Sequence, residues 1–271
     1  MTSISFDRAV DFYDATRGYP PGVEEHIADA IVAAVGASAG TRFLEMGIGT
    51  GRIAFPLIMR GYHYTGIDLS EAMMGRLREK IDTFAATHPD QPVQVDLHVG
   101  DSTVLPFAAA QFDVALTVHV LHLIPNWRDA IDGAARVLKP GGYFLNCGDD
   151  LLVQGNTLDI KRRWEEIVAD LGYTPEVTYS GTAHAVFGYL SEIGLQPEVL
   201  RTATWQVERR PRAMFDHIAQ RLWSRTWRVP DDLFAESIRR LEAQLQDTYG
   251  DRLDVPEQRT LQFVITRARK P

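Results

Sequence analysis

Three acidic residues stand where short apolar runs give way to turns: Glu45 in FLEMGIGTGR, Asp68 in YTGIDLS and Asp101 in VGDST. Carboxylates accept hydrogen bonds and carry negative charge, so such positions suit a ligand that presents hydroxyls, amines or a cation. Between Glu45 and Arg52 lie Gly47, Gly49 and Gly51. Glycine takes positive φ and lets a ligand approach with no Cβ in the way, so a glycine-rich turn after a strand can aim a helix N-terminus at a bound molecule. Such turns also arise for steric reasons, and the neighbours decide between the two. Asp68 follows at the separation where an acidic side chain meets ribose hydroxyls. Capping of the next helix is the competing role, and Ser70 already fills it. At Asp101, an acceptor for an exocyclic adenine amine, with the Ser102 N–H facing a ring nitrogen, competes with an Asx-type turn.

The loop departs from the dinucleotide pattern G-x-G-x-x-G: the residue at the third glycine position is Arg52, and Gly51 comes one step early. Glu45 would also repel a pyrophosphate. An adenosine cofactor with a cationic amine and no phosphate would be favoured beside it, and S-adenosylmethionine has both properties. His119 and His122 follow a fourth apolar run, QFDVALTVHVLHLI, where a second substrate would arrive. Imidazole titrates near neutral pH, so either could accept a proton. Packing beside the cofactor is the reading taken for His119, and His122 is the candidate base.

These residues need a frame that brings several strand ends to one edge. Short strands are predicted at TRFLEM, YHYTGIDL, VQVDLHVGD, QFDVALTV and GGYFLNCGD, with helices between them. Strict strand–helix alternation implies a parallel sheet with helices on both faces, and ligands then sit beyond the carboxyl ends of the strands. After about Asp150 the rhythm changes. Helices are expected over 157–171, 178–194 and much of 211–249, and strands at TATWQV and LQFVITRAR.

In order and spacing, FLEMGIGTGR, YTGIDLSEAMM, VGDSTVLPF, QFDVALTVHVLHLI and RVLKPGGYF resemble the class I S-adenosylmethionine-dependent methyltransferases, especially the small-molecule branch. The resemblance implies a Rossmann-like, doubly wound, seven-stranded α/β sheet, mostly parallel with an antiparallel last strand, plus helical additions. It implies S-adenosylmethionine as cofactor, with Glu45 near the methionine amine and Gly47, Gly49 and Gly51 lining the site. Asp68 would hold the ribose, with Leu69 and Met73 against the adenine and Asp101 and Ser102 at its edge. The backbone of Val118 and His119 would lie near the methionine moiety. Tyr13 and Arg17, in an N-terminal segment like the one that covers the cofactor in the family, would close over it. Arg17 is a candidate partner for the methionine carboxylate.

A single methyltransferase domain is expected. Residues 1–36 would cover the cofactor, and 37–150 would form its core. Additions at 150–178 and 210–258 would form the substrate side, and 179–209 with 259–271 would end the sheet. Trp164, Trp205, Phe215, Trp223 and Trp227 concentrate in and beside the additions, where they suit either an apolar acceptor pocket or a local core. The expected activity is methyl transfer to a small-molecule acceptor. A non-catalytic S-adenosylmethionine-binding regulatory module is the alternative, and a nicotinamide-dependent oxidoreductase comes third.

A net charge of −8 over 271 residues argues against a nucleic-acid partner, and no N-P-P-Y-like sequence follows the fourth strand. Cys147 is the sole cysteine, so neither a disulfide nor a cysteine–zinc site is expected, and no metal-ligand cluster stands out. With neither a long apolar run nor a signal-peptide pattern, a cytoplasmic location and no membrane partner are expected.

Overall fold

The computed structural model describes residues 5–152, 156–174 and 181–271. The N-terminal region carries α1 (Tyr13–Arg17) and α2 (Val23–Val35). The alternation then runs β1 (Arg42–Met46), α3 (Ala54–Met59), β2 (His63–Asp68), α4 (Glu71–Thr87), β3 (Val95–Val99), β4 (Phe112–Val118), α5 (Trp127–Val137) and β5 (Leu138–Leu151). Beyond it come α6 (Asn156–Asp170), α7 (Ala183–Glu192), β6 (Gln196–Arg209), α8 (Pro211–Ala219), α9 (Asp231–Tyr249) and β7 (Glu257–Arg269).

One seven-stranded sheet has the order β3-β2-β1-β4-β5-β7-β6. β1 pairs in parallel with β2 and β4, β2 with β3, and β4 with β5. β7 runs antiparallel between β5 and β6, as the reciprocal bonds Gly141 N to Lys270 O and Lys270 N to Gly142 O illustrate. This is the sheet that the alternation and the resemblance predicted. Central parallel strands covered on both faces read as nearly continuous apolar runs. Accordingly Phe43, Leu44 and Met46 of β1 and Val114, Ala115 and Leu116 of β4 are buried. The strand order reverses at β1 and β4, which puts the crevice at their carboxyl ends.

Local signals place most boundaries. Ser70 caps α4, its Oγ accepting from Met73 N at 3.0 Å. α7 begins at Ala183, and the first residues of the helix expected over 178–194 lie outside the described residues. β6 and β7 are longer than TATWQV and LQFVITRAR, because ladder pairing carries QPEVLR and EQRT into strands that their polar composition hides.

The chain forms two compact units: Met1–Asp149 with Tyr179–Ala203 and Phe263–Pro271, and Asp150–Thr178 with Thr204–Gln262. The second has its own core, in which Trp164, Phe215, Phe234 and Leu241 are buried, Trp223 packs against the cluster, and Trp164 Nε1 donates to Ser237 Oγ at 3.1 Å. The local-core reading therefore accounts for Trp164, Phe215 and Trp223. Trp227 Nε1 donates to the Arg221 carbonyl at 2.7 Å. Among the described residues no helix is long and apolar enough to cross a membrane.

Candidate cofactor and acceptor site

The loop after β1 carries Gly47, Gly49 and Gly51 at φ 78°, 55° and 72°. A Cβ at Gly47 would stand 2.5 Å from Val120 Cγ2, and one at Gly51 would overlap the buried Leu77 side chain. Two of the three glycines thus seat the loop against the turn after β4 and against α4. Gly51→Ala combines positive φ with overpacking and is expected to cost roughly 2–4 kcal/mol, lowering Tm by about 5–10 °C in a thermal melt.

The register aligns the acidic strand ends on one edge. Glu45 is 2% exposed, and its Oε2 accepts from the Tyr64 hydroxyl at 2.6 Å. Burial pushes the Glu45 carboxyl up to about 8, against the opposing influence of the Tyr64 hydrogen bond and the Arg52 charge. Asp68 at the end of β2 accepts from Gly49 N and Ser70 N, both at 2.8 Å, one at each oxygen. Each oxygen has a second lone pair, so the carboxylate retains acceptor capacity for two hydroxyls. Burial raises its pKa despite those backbone bonds.

Gly100 N donates to the Asp68 carbonyl at 2.9 Å, setting the end of β3 beside that of β2. There Asp101 does form the Asx-type turn, its Oδ1 accepting from Thr103 N and Oγ1, both at 2.8 Å. Ser102 and Met73 are buried, and Leu69 is 38% exposed.

The N-terminal segment is pinned to the loop and to α4. Asp14 accepts from Thr50 Oγ1 at 2.5 Å and pairs with Lys80 at 2.6 Å, and Asp7 accepts from Ser70 Oγ at 2.5 Å. Arg52 donates to the Arg17 carbonyl and lies over the Tyr19 ring, 4.5 Å from its centroid. Tyr13 stands edge-on to Phe6, and the Arg17 guanidinium lies 5.9 Å from the Tyr13 ring centroid. Burial lowers the Arg17 pKa.

Past the buried Val118, His119 adopts φ 55°, a region that non-glycine residues rarely occupy, and its N–H donates to the Cys147 carbonyl at 3.1 Å. His119 Nε2 lies 3.2 Å from Asp149 Oδ2, and the Tyr19 hydroxyl donates to Asp149 Oδ1 at 2.9 Å. Burial alone would raise the Asp149 pKa, but His119, Arg52 and Tyr19 together hold it below the usual carboxylate range. The His119 side chain is 33% exposed and that of Asp149 16%, so the imidazole is reachable while its partner is shielded. His122 lies half-buried in the short 3-10 turn Leu121–Leu123.

The fold thus gathers Glu45, the glycine loop, Asp68, Asp101, Ser102, Val118 and His119 along the carboxyl edge, with Tyr13 and Arg17 on the segment tied to the loop. Sequence reasoning missed Asp149, Tyr19 and Tyr64. Asp149 ends the predicted strand GGYFLNCGD and lies two residues before the end of β5, and the strand-end argument applied to the first three acids would have found it. Tyr64 carries no signal that separates it from a core aromatic.

The model of a methyltransferase domain family matches residues 44–146. A 27-O-demethylrifamycin SV methyltransferase of Amycolatopsis mediterranei is 29% identical over 90% of this chain and 83% of its own length. A demethylmenaquinone methyltransferase of Tropheryma whipplei is 33% identical over 52% of this chain, which here spans about half the relative's length (56%). The phosphoethanolamine N-methyltransferase 2 of Haemonchus contortus, solved with S-adenosylhomocysteine, superposes with a TM-score of 0.55 at 19% identity, covering 98% of this chain and 58% of that one.

Proposed function

Because the chain belongs to the class I S-adenosylmethionine-dependent methyltransferases, we propose that it transfers the cofactor's methyl group to a hydroxyl oxygen of a small molecule, with His119 as the base. The observation that carries this reading is the His119–Asp149 pair, just past β4 and two residues before the end of β5. An amine, thiolate or thioether can attack a sulfonium methyl with its own lone pair. A neutral hydroxyl must lose its proton, and an imidazole oriented by a carboxylate suits that task. The Amycolatopsis relative is named for methylation at an oxygen, which supports the same reading.

The donor set fits the cofactor: the buried Glu45 carboxyl suits an ammonium group and the part-buried Asp68 a ribose diol, and neither suits a phosphate. In this proposal Glu45 receives the amine and Arg17 the methionine carboxylate, with Tyr13 beside it. Gly47, Gly49, Gly51 and the backbone of Val118 and His119 surround the methionine chain. Asp68 takes the ribose hydroxyls, Leu69 and Met73 flank the adenine, and Asp101 and Ser102 meet its edge. Bound S-adenosylmethionine supplies an electrophilic methyl on an excellent leaving group, so the protein chiefly aligns and deprotonates the acceptor. With Nε2–H directed at Asp149, His119 Nδ1 carries the lone pair that takes the hydroxyl proton. His122, close by in the turn, is proposed to orient the acceptor.

Incubation with methyl-labelled S-adenosylmethionine and parallel panels of hydroxylated, amino and thiol small molecules tests the reading. Label in an ether product is expected, and label confined to nitrogen or sulfur would overturn it. Asp68→Ala is expected to weaken S-adenosylhomocysteine binding by about 10–100-fold, the loss of charge-assisted hydrogen bonds to the ribose, as measured by calorimetry.

A further inference from the structure

Phe43 of β1 stands opposite Tyr64 of β2 in the parallel register, and Glu45 opposite Gly66. The Tyr64 ring stacks on Phe43 with centroids 5.6 Å apart, and its hydroxyl reaches along the sheet face to Glu45 Oε2 at 2.6 Å. Both residues are buried. The titratable groups facing Glu45 are the Tyr64 hydroxyl from β2, the Arg52 guanidinium from the glycine loop, the Asp68 carboxyl at the end of β2 and the Cys147 thiol of β5. Arg52 is engaged with the Arg17 carbonyl and the Tyr19 ring, and among the described residues no cationic side chain lies within ion-pair distance of Glu45. A buried carboxylate with one neutral donor and no paired cation is poorly solvated, and taking up a proton relieves that cost.

We propose that Glu45 keeps its proton in the ligand-free protein and releases it to solvent when an ammonium group enters the site, with Tyr64 as the positioning residue that steadies the ionised carboxylate. This rests on the cofactor placement above. The exchange balances: the carboxylic acid becomes a carboxylate paired with the incoming ammonium, and one proton leaves. The upward-shifted Glu45 carboxyl agrees with this geometry. The ligand's ammonium remains charged below about pH 7, so the linkage between pH 6 and 7 belongs to the protein. Tyr64 favours the ionised form because its hydroxyl can only donate to a carboxylate.

Calorimetric titration of the full chain with S-adenosylhomocysteine, in two buffers of different ionisation enthalpy, tests the proposal. Release of about 0.9 proton per ligand at pH 7 is expected, with Kd tightening about tenfold from pH 6 to pH 7. Methylthioadenosine, which lacks the amino-acid moiety, should bind with no proton release and a flat profile. Tyr64→Phe keeps the stacked ring and removes the donor. It should weaken S-adenosylhomocysteine binding several-fold at pH 7 and extend the rising limb to higher pH, whereas Glu45→Gln should abolish the limb. S-adenosylhomocysteine binding without proton release, with Kd flat from pH 6 to 7, overturns this proposal alone. No binding of that ligand at any pH overturns the cofactor placement and this proposal with it.

Discussion

His119→Ala is expected to slow methyl transfer to a hydroxyl acceptor by about 10²–10⁴-fold while leaving S-adenosylhomocysteine affinity within about threefold. The loss is large because the substitution removes an imidazole whose Nε2 faces a shielded carboxylate, at 3.2 Å from Asp149. Cofactor affinity should hold because the His119 backbone is kept in place by its N–H bond to the Cys147 carbonyl, which alanine retains. Alanine at φ 55° is strained as histidine is, so the melting temperature should change little. Asp149→Asn should reduce turnover in the same direction, since an amide neither favours the imidazolium nor selects the required tautomer. Single-turnover kinetics on an acceptor from the hydroxylated panel measures both. Unchanged rates in His119→Ala would remove the base from the mechanism.

Glu45→Gln is expected to stabilise the ligand-free protein while weakening cofactor binding by about 10–100-fold. The Glu45 carboxyl, pushed from its ordinary 4.5 to about 8, retains its proton in the folded state while the unfolded chain ionises. Its contribution to stability is therefore complete below pH 4.5 and is lost as pH rises towards 8, by about 1.4 kcal/mol per pH unit. Glutamine does not titrate and still accepts from Tyr64. The melting temperature of the ligand-free variant should thus exceed the wild type's by several degrees at pH 8, with the gap closing towards pH 5. Saturating S-adenosylhomocysteine should narrow the gap at pH 8 by about 1.4–2.7 kcal/mol, because the ligand stabilises the wild type in proportion to its tighter binding. Thermal melts at both pH values, with and without ligand, measure this. A variant less stable than the wild type at pH 8 would refute the argument.

Much of the carboxyl edge of the sheet was legible in the sequence. Glu45, Asp68 and Asp101 each end an apolar run, and in a parallel sheet all such ends meet at one edge, so local sequence implied a shared site. The early third glycine had a reason the sequence hid. Gly51 is required by Leu77 and Gly47 by Val120, packing partners that belong to other elements. At Asp101, the Asx-type turn and the adenine-edge reading are compatible, because the turn occupies one carboxylate oxygen.

The sequence by itself determined the fold class and the chemical kind of cofactor. Periodicity, caps and strand-end charges are local, and each is written within a dozen or so residues. Tertiary structure alone decided that His119 faces Asp149, how Tyr19 joins the N-terminal segment to Asp149, and that Tyr64 holds Glu45. It also decided that Trp164 and Phe215 build a core of their own. These are contacts between residues far apart in the chain. Strand order and register create them, and no short stretch of sequence carries that information.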